Sequence, residues 1–231
     1  MKTIICGSGD VGYSIADKLS KEKFEVTVVD EPSDKLNKIS DNLDVKVIKG
    51  IPSLPSVLMN AGAKDCEILI AVTKSDETNM IACQIAHSLY RTPTKICRIR
   101  ATNYINQKEL FNDQTIPVDV IISPGKLATN HIKGLLEHPG SLQVLSFANG
   151  AAQLIAIRAH KGDRFVGHTL YEIHKMTPDQ DARVAAIFRG NQAIKPTRET
   201  IIQPQDEVFY IAAKENIRPV MRALGQLSKP Y

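Results

Sequence analysis

Three glycines set the first constraint. Cys6-Gly7-Ser8-Gly9-Asp10-Val11-Gly12 holds the spacing GxGxxG. It follows the apolar run Lys2–Cys6 and precedes a stretch with Val11, Ile15, Ala16 and Leu19 on one helical face. A glycine triplet alone is weak, because such triplets occur in ordinary loops. Here it coincides with a preceding strand, a following amphipathic helix and an acid, Asp30, at the end of the second apolar run. Gly7 permits a tight turn, Gly9 leaves a pyrophosphate room to approach the backbone, and Gly12 lets the helix pack close to the sheet. Unpaired N–H groups at the helix start then face phosphate oxygens. The Asp30 carboxylate suits the two hydroxyls of an adenosine ribose. Its charge, with Glu31 beside it and no arginine nearby, opposes a 2′-phosphate, so NAD(H) is expected over NADP(H).

Strand and helix patterns alternate over the first 120 residues. Strands are expected at Lys2–Cys6, Glu25–Asp30 and residues 45–48, 66–72, 95–99 and 118–122. Helices are expected from Asp10 to about Ser20, over 33–42, from Pro55 to Asn60 with Gly62 as the stop, and from Ser75 onward. Such alternation predicts an α/β fold, a Rossmann-like doubly wound parallel sheet. Pro124-Gly125 opens a further helix ending by Glu137, and Pro139-Gly140 follows. Short strands are then expected at 143–147, 153–159, 184–188 and 207–212, with helices at 168–175 and 215–227. The expected organisation is a nucleotide-binding domain over 1–137 and a small α/β domain over 138–231, joined near 138–142.

Composition narrows the class. Of the 231 residues 43% are hydrophobic and 23% charged, the balance of an ordinary globular protein. The longest apolar runs are far short of the roughly 18–20 residues needed to cross a bilayer, and no signal peptide is expected at the N-terminus. The formal net charge of +4 is too mild to imply nucleic acid, though residues 1–120 carry 15 basic and 16 acidic groups and residues 121–231 carry 14 and 9. Cys6, Cys66, Cys83 and Cys97 form no CxxC and read as small buried hydrophobes in a reducing compartment. The six histidines show no metal-ligand spacing, so no metal site is expected.

Thr73-Lys74-Ser75-Asp76 follows the fourth strand, at the carboxyl edge where ligands of such sheets bind. Thr73 and Lys74 are therefore candidate cofactor contacts. Ser75 and Asp76 read as helix capping. Arg98 and Arg100 alternate at the fifth strand and share a side, where they would meet phosphate or form a surface ion pair. In the second part Arg158, Lys161, Arg164, Arg183 and Arg189 are candidate anion contacts or solvated charges. A dehydrogenase would fit the fold, but no His–Asp constellation stands out to serve it. A DNA-binding sensor lacks a helix-turn-helix or a clustered arginine stretch.

Longer stretches carry a resemblance. Val57-Leu58-Met59-Asn60-Ala61-Gly62-Ala63, Ala71-Val72-Thr73-Lys74-Ser75-Asp76-Glu77-Thr78-Asn79-Met80, Arg183-Val184-Ala185-Ala186-Ile187-Phe188-Arg189 and Asp206-Glu207-Val208-Phe209-Tyr210-Ile211-Ala212-Ala213 are among them. The chain resembles the regulatory (RCK, or KTN) domain of bacterial Trk-type potassium uptake, followed by the family's small C-terminal domain (RCK_C). The resemblance implies a cytoplasmic, peripheral regulatory subunit without catalysis. It would bind NAD(H) or adenine nucleotides (ATP, ADP), control a membrane potassium transporter and assemble into dimers or rings. The family's nucleotide positions map onto Gly7, Ser8, Gly9, Asp10, Val11, Asp30, Thr73, Lys74 and Arg98. Two departures accompany it. Gly50-Ile51-Pro52 carries apolar Ile51 where Trk subunits often have a polar residue, leaving Ile51 to pack against a base. Asp10 replaces an arginine common in related channel regulators, which implies weaker contact with a terminal phosphate. Trk subunits also usually carry two nucleotide halves, and this chain matches one.

Overall fold

The computed structural model describes residues 1–176 and 181–224, which fall into two compact units divided after Gly125. In the first, six parallel strands are ordered β3-β2-β1-β4-β5-β6. They are β1 (Lys2–Cys6), β2 (Glu25–Asp30), β3 (Lys46–Lys49), β4 (Ile68–Ala71), β5 (Thr94–Arg98) and β6 (Val120–Ile122). The connections are α1 (Asp10–Lys21), α2 (Asp34–Asn42), α3 (Pro55–Asn60), α4 (Asp76–Tyr90) and α5 (Thr102–Asn106). This is the expected Rossmann-like sheet. Its chain order reverses between β1 and β4, so the loops leaving those two strands part and open a crevice at their carboxyl ends.

Apolar strands fix both faces. One layer gathers Ile4, Cys6, Val29, Leu69, Ala71 and Cys97 with Leu58 of α3 and Met80 and Cys83 of α4. The other packs Ile5, Val26, Val28 and Ile70 against Ala16, Leu36 and Ile39 of α1 and α2. The near-continuous hydrophobic strands thus meet helices on both sides, as a buried parallel sheet requires. All four cysteines are buried and unbridged within this unit. Burial pushes the thiols of Cys6 and Cys66 up, while a hydrogen bond with Cys97, aided by burial, pushes up that of Cys83. Among the described residues no cluster of histidine, cysteine and carboxylate side chains is arranged to hold a metal.

α6 (Pro124–Glu137) starts at the end of the first unit and lies mostly in the second. The second unit is an antiparallel sheet ordered β10-β9-β11-β8-β7. Its strands are β7 (Ser141–Phe147), β8 (Ala152–Arg158), β9 (Ala182–Arg189), β10 (Gln192–Ile194) and β11 (Glu207–Ala213), with helices α7 (Leu170–Met176) and α8 (Lys214–Ala223). Ile155, Ile157, Phe165, Ile187, Val208, Ile217 and Val220 form its core. Buried Asp206 is gripped at both oxygens by Arg189, Nε to Oδ1 at 2.8 Å and a terminal nitrogen to Oδ2 at 2.9 Å. Sequence reading missed the three-residue β10, and the helix end expected at Leu227 lies outside the described residues. Among the described residues no helix is long and apolar enough to cross a membrane.

Candidate functional site

A cleft of about 520 Å³ opens at the carboxyl edge of the parallel sheet. That volume lies in the usual range for small-molecule sites. Each residue singled out for a nucleotide lines it: Gly7, Ser8, Gly9, Asp10, Val11, Asp30, Thr73, Lys74 and Arg98. Arg100, Ser33, Lys35 and Pro52 join them. The lining includes Pro52 but not Ile51.

The glycines meet different demands. Gly7 adopts φ +117°, a left-handed conformation, and a Cβ there would come within 2.9 Å of the Thr73 nitrogen. At Gly12 a Cβ would lie 1.9 Å from the Gly7 carbonyl oxygen, so helix and turn pack at a distance only glycine permits. At Gly9 a Cβ would meet nothing within 4 Å. The space there is room in the cleft, not a packing requirement. Gly9 is also the N-cap of α1 and offers no side-chain bond, so the first turn, which borders the cleft at Asp10 and Val11, has no side-chain cap. An open cradle beside an uncapped helix start fits a phosphate group.

Asp30 ends β2 and meets the glycine loop directly. Its Oδ2 accepts the Ser8 N–H and the Ser8 hydroxyl, both at 2.6 Å, and Oδ1 accepts the Glu31 N–H at 2.8 Å. Ser8 is buried, and its hydroxyl is given to Asp30, beside it in the cleft lining. Asp10, at the start of α1, is exposed and lies 3.2 Å from Lys35 Nζ, which sets a cation against its charge.

The opposite wall is built from the loops after β4 and β5. Ser75 caps α4 by accepting the Thr78 N–H at 3.1 Å, as its sequence position implies. Asp76 does more than complement the helix dipole: its Oδ2 accepts the N–H groups of Arg100 and Ala101, each at 2.8 Å. The guanidinium of Arg98 donates to the Thr73 carbonyl and that of Arg100 to the Lys74 carbonyl. Burial and the neighbouring Arg100 charge hold the Arg98 pKa below its ordinary value. Asn79, fully buried in the first turn of α4, bonds to Thr73 and to the end of β5. Sequence reading assigned it no part in the site, and its position one turn past the Ser75 cap is the only local signal. Charges of both signs line the cleft: the carboxylates of Asp10, Asp30 and Glu31, with Lys35 against Asp10, and the cations Lys74, Arg98 and Arg100 on the loops after β4 and β5.

A second cavity of about 440 Å³ lies in the second unit, lined by Tyr171, His174, Arg183, Arg198 and Tyr210 among others. Of the cations expected to meet anions in this unit, Arg183 lines that cavity. Arg158 pairs with Glu207, and Arg189 with Asp206.

Residues 3–124 match the TrkA-N domain and residues 154–225 the TrkA-C domain. The chain is 48% identical over 231 residues to the Trk system potassium uptake protein TrkA of Halomonas elongata, covering 100% of this chain and 50% of that protein. It is 46% identical over 232 residues to TrkA of Vibrio alginolyticus, covering 100% of this chain and 51% of that protein. It thus spans about half the length of the curated relatives it matches. Among solved structures the GsuK channel superimposes with a TM-score of 0.70 at 17% identity, over 96% of this chain and 39% of that one. The GsuK channel bound to NAD gives 0.69 at 18%, over 97% of this chain and 39% of that one. The structural likeness establishes a shared fold, and the sequence match establishes more: the chain belongs to the TrkA-N domain family, with a TrkA-C domain following in the same polypeptide.

Proposed function

We propose that this chain is a nucleotide-responsive regulatory part of a Trk-type potassium uptake system. It binds NAD(H) or adenine nucleotides such as ATP and ADP in the cleft between the glycine turn and the Thr73 loop. The observation that carries this reading is convergence. A cradle open at Gly9, an uncapped helix start, a carboxylate at Asp30 and a basic wall at Lys74 and Arg98 face one cleft. Gly7 to Val11 would hold the pyrophosphate, Asp30 the adenosine ribose, and Thr73, Lys74 and Arg98 the remainder of the ligand. The TrkA relatives and the NAD-bound GsuK channel support the choice of ligand and system.

The chain performs no catalysis in this reading. Its role is linkage: nucleotide favours one state of an assembled dimer or ring on the cytoplasmic face of the membrane. The difference in affinity between states biases the transporter. A coupling of about 1–3 kcal/mol suffices for such control. The test is potassium uptake by the reconstituted transporter with and without this protein, and with and without NADH. A change of about fivefold or more on adding NADH is expected only when the protein is present. Uptake indifferent to the protein and its ligand would refute the regulatory role.

A further inference from the structure

We infer that Asn79 is a positioning residue of the nucleotide cleft, one carboxamide that fixes Thr73 and the end of the Arg98 strand in a single arrangement. The inference rests on the reading of this cleft as a nucleotide site and assigns a residue that never touches the ligand.

Asn79 lies in the first turn of α4 and is fully buried. Its Oδ1 accepts the Thr73 N–H at 2.8 Å and the Thr73 hydroxyl at 2.7 Å. Its Nδ2 donates to the Thr73 carbonyl at 3.3 Å and to the Arg98 carbonyl at 2.9 Å. The orientation of the amide is not arbitrary: a backbone N–H requires the oxygen on one side, and two carbonyls require the nitrogen on the other. Four bonds thus use the whole hydrogen-bonding capacity of the carboxamide.

The bonds join parts of the chain that nothing local would align. Thr73 follows β4 and Arg98 ends β5, 25 residues later. Both line the cleft. The Thr73 carbonyl also accepts from the Arg98 guanidinium, so Asn79 orders the acceptor that aims that cation. The hydroxyl of Thr73 has one proton to give. Asn79 Oδ1, at 2.7 Å, is the nearer of its two acceptors, the Ser75 carbonyl lying at 3.1 Å, and the oxygen itself accepts the Ser75 N–H at 3.3 Å. Asn79 therefore holds Thr73 in place by its N–H, its hydroxyl and its carbonyl together. A capping role is already filled by Ser75, whose oxygen accepts the Thr78 N–H. Helix stability alone does not account for a buried amide here.

The test is fluorescence titration of NADH into the intact chain and its variants, with the melting temperature of each recorded. Asn79→Asp keeps the size and the oxygen facing the Thr73 N–H but turns a carboxylate oxygen toward two carbonyls. It should weaken NADH binding by about tenfold or more. Asn79→Ser, which is smaller and leaves room for water, carries the comparison if the aspartate variant does not fold, and should also weaken binding severalfold. Leu58→Ala, a core truncation in the same unit away from the cleft lining, supplies a control of equal or lower melting temperature that should bind within about twofold of wild type. Asn79 variants that fold and bind like wild type would overturn the inference while leaving the nucleotide reading intact. So would a loss in the Leu58 control as large as theirs. Wild-type protein that takes up no NADH would overturn the nucleotide reading, and the inference with it.

Discussion

Asp30 Oδ2 receives two hydrogen bonds from Ser8, one from its N–H and one from its hydroxyl, both at 2.6 Å. The acid at the end of β2 and the loop after β1 are thereby one rigid unit. Removing the hydroxyl by Ser8→Ala should leave the turn folded, because the N–H bond and the Gly7 N–H to Val29 carbonyl bond, 2.8 Å, persist. The carboxylate would be less firmly held, and NADH affinity should fall by about three- to tenfold. Calorimetric titration of the variant beside wild type measures it, and an unchanged affinity would show that Ser8 does not orient Asp30.

Gly9 and Gly12 should respond to the same substitution in opposite ways. Gly12→Ala forces a methyl to 1.9 Å from the Gly7 carbonyl oxygen and should destabilise the protein by about 2 kcal/mol or more. Gly9→Ala meets no protein atom within 4 Å. It should leave the melting temperature nearly unchanged yet weaken nucleotide binding by about tenfold or more, since its methyl projects into the space that the proposed function gives to phosphate. Thermal melts and titrations of the two variants separate the roles.

Stability of the second unit should depend on acid through Asp206. Burial alone would raise its pKa, but the Arg189 guanidinium and the Gln203 N–H, which donates at 2.8 Å, hold it below the usual carboxylate range. A lowered folded-state pKa means that the contribution is complete above the unfolded value of about 3.9. It is lost as pH falls from there through the folded value. Asp206→Ala should destabilise the second unit by about 1–3 kcal/mol at neutral pH, because it removes the acceptor of the Arg189 guanidinium and of the Gln203 N–H. The variant should also show a flatter decline in stability below about pH 4 than wild type. Urea unfolding followed across pH would detect both effects.

The cysteines should be silent in the folded protein. All four are buried, and the thiols of Cys6, Cys66 and Cys83 are held up in pKa. Thiol-reactive reagent at pH 8 should modify none of them on the timescale of minutes, and all four after denaturation. Rapid native labelling of any one would show local opening of the core beneath the cleft.

Much of this architecture was legible because its causes are local. The residue bounds of Glu25–Asp30, Pro55–Asn60 and Pro124–Glu137 agree between sequence and structure, each being marked by a β-branched run, a proline or a glycine. The glycine turn was legible because its three glycines fall within six residues and Gly12 crowds Gly7 locally, although the atoms that crowd Gly7 itself belong to Val72 and Thr73. Short elements were not: β10 is three residues, Gln192–Ile194, held by pairing with β9, and α5 is five, Thr102–Asn106. The far wall of the cleft was legible only in part. Asp76 sits where a helix-capping acid belongs, but its partners are the N–H groups of Arg100 and Ala101 across the sheet edge. Asn79 carries no signature in the sequence that separates it from any polar residue early in a helix. Such roles are created by tertiary contact and become visible only when β4 and β5 are side by side.

The central claim is that Asp30 and the glycine turn seat an adenine dinucleotide. Calorimetric titration of NADH into wild-type protein and into Asp30→Ala tests it most directly. Saturable binding to one site per chain is predicted, weakened by about tenfold or more in the variant, with NADPH binding wild type more weakly than NADH. No heat with wild type, or equal affinity in the variant, would contradict it.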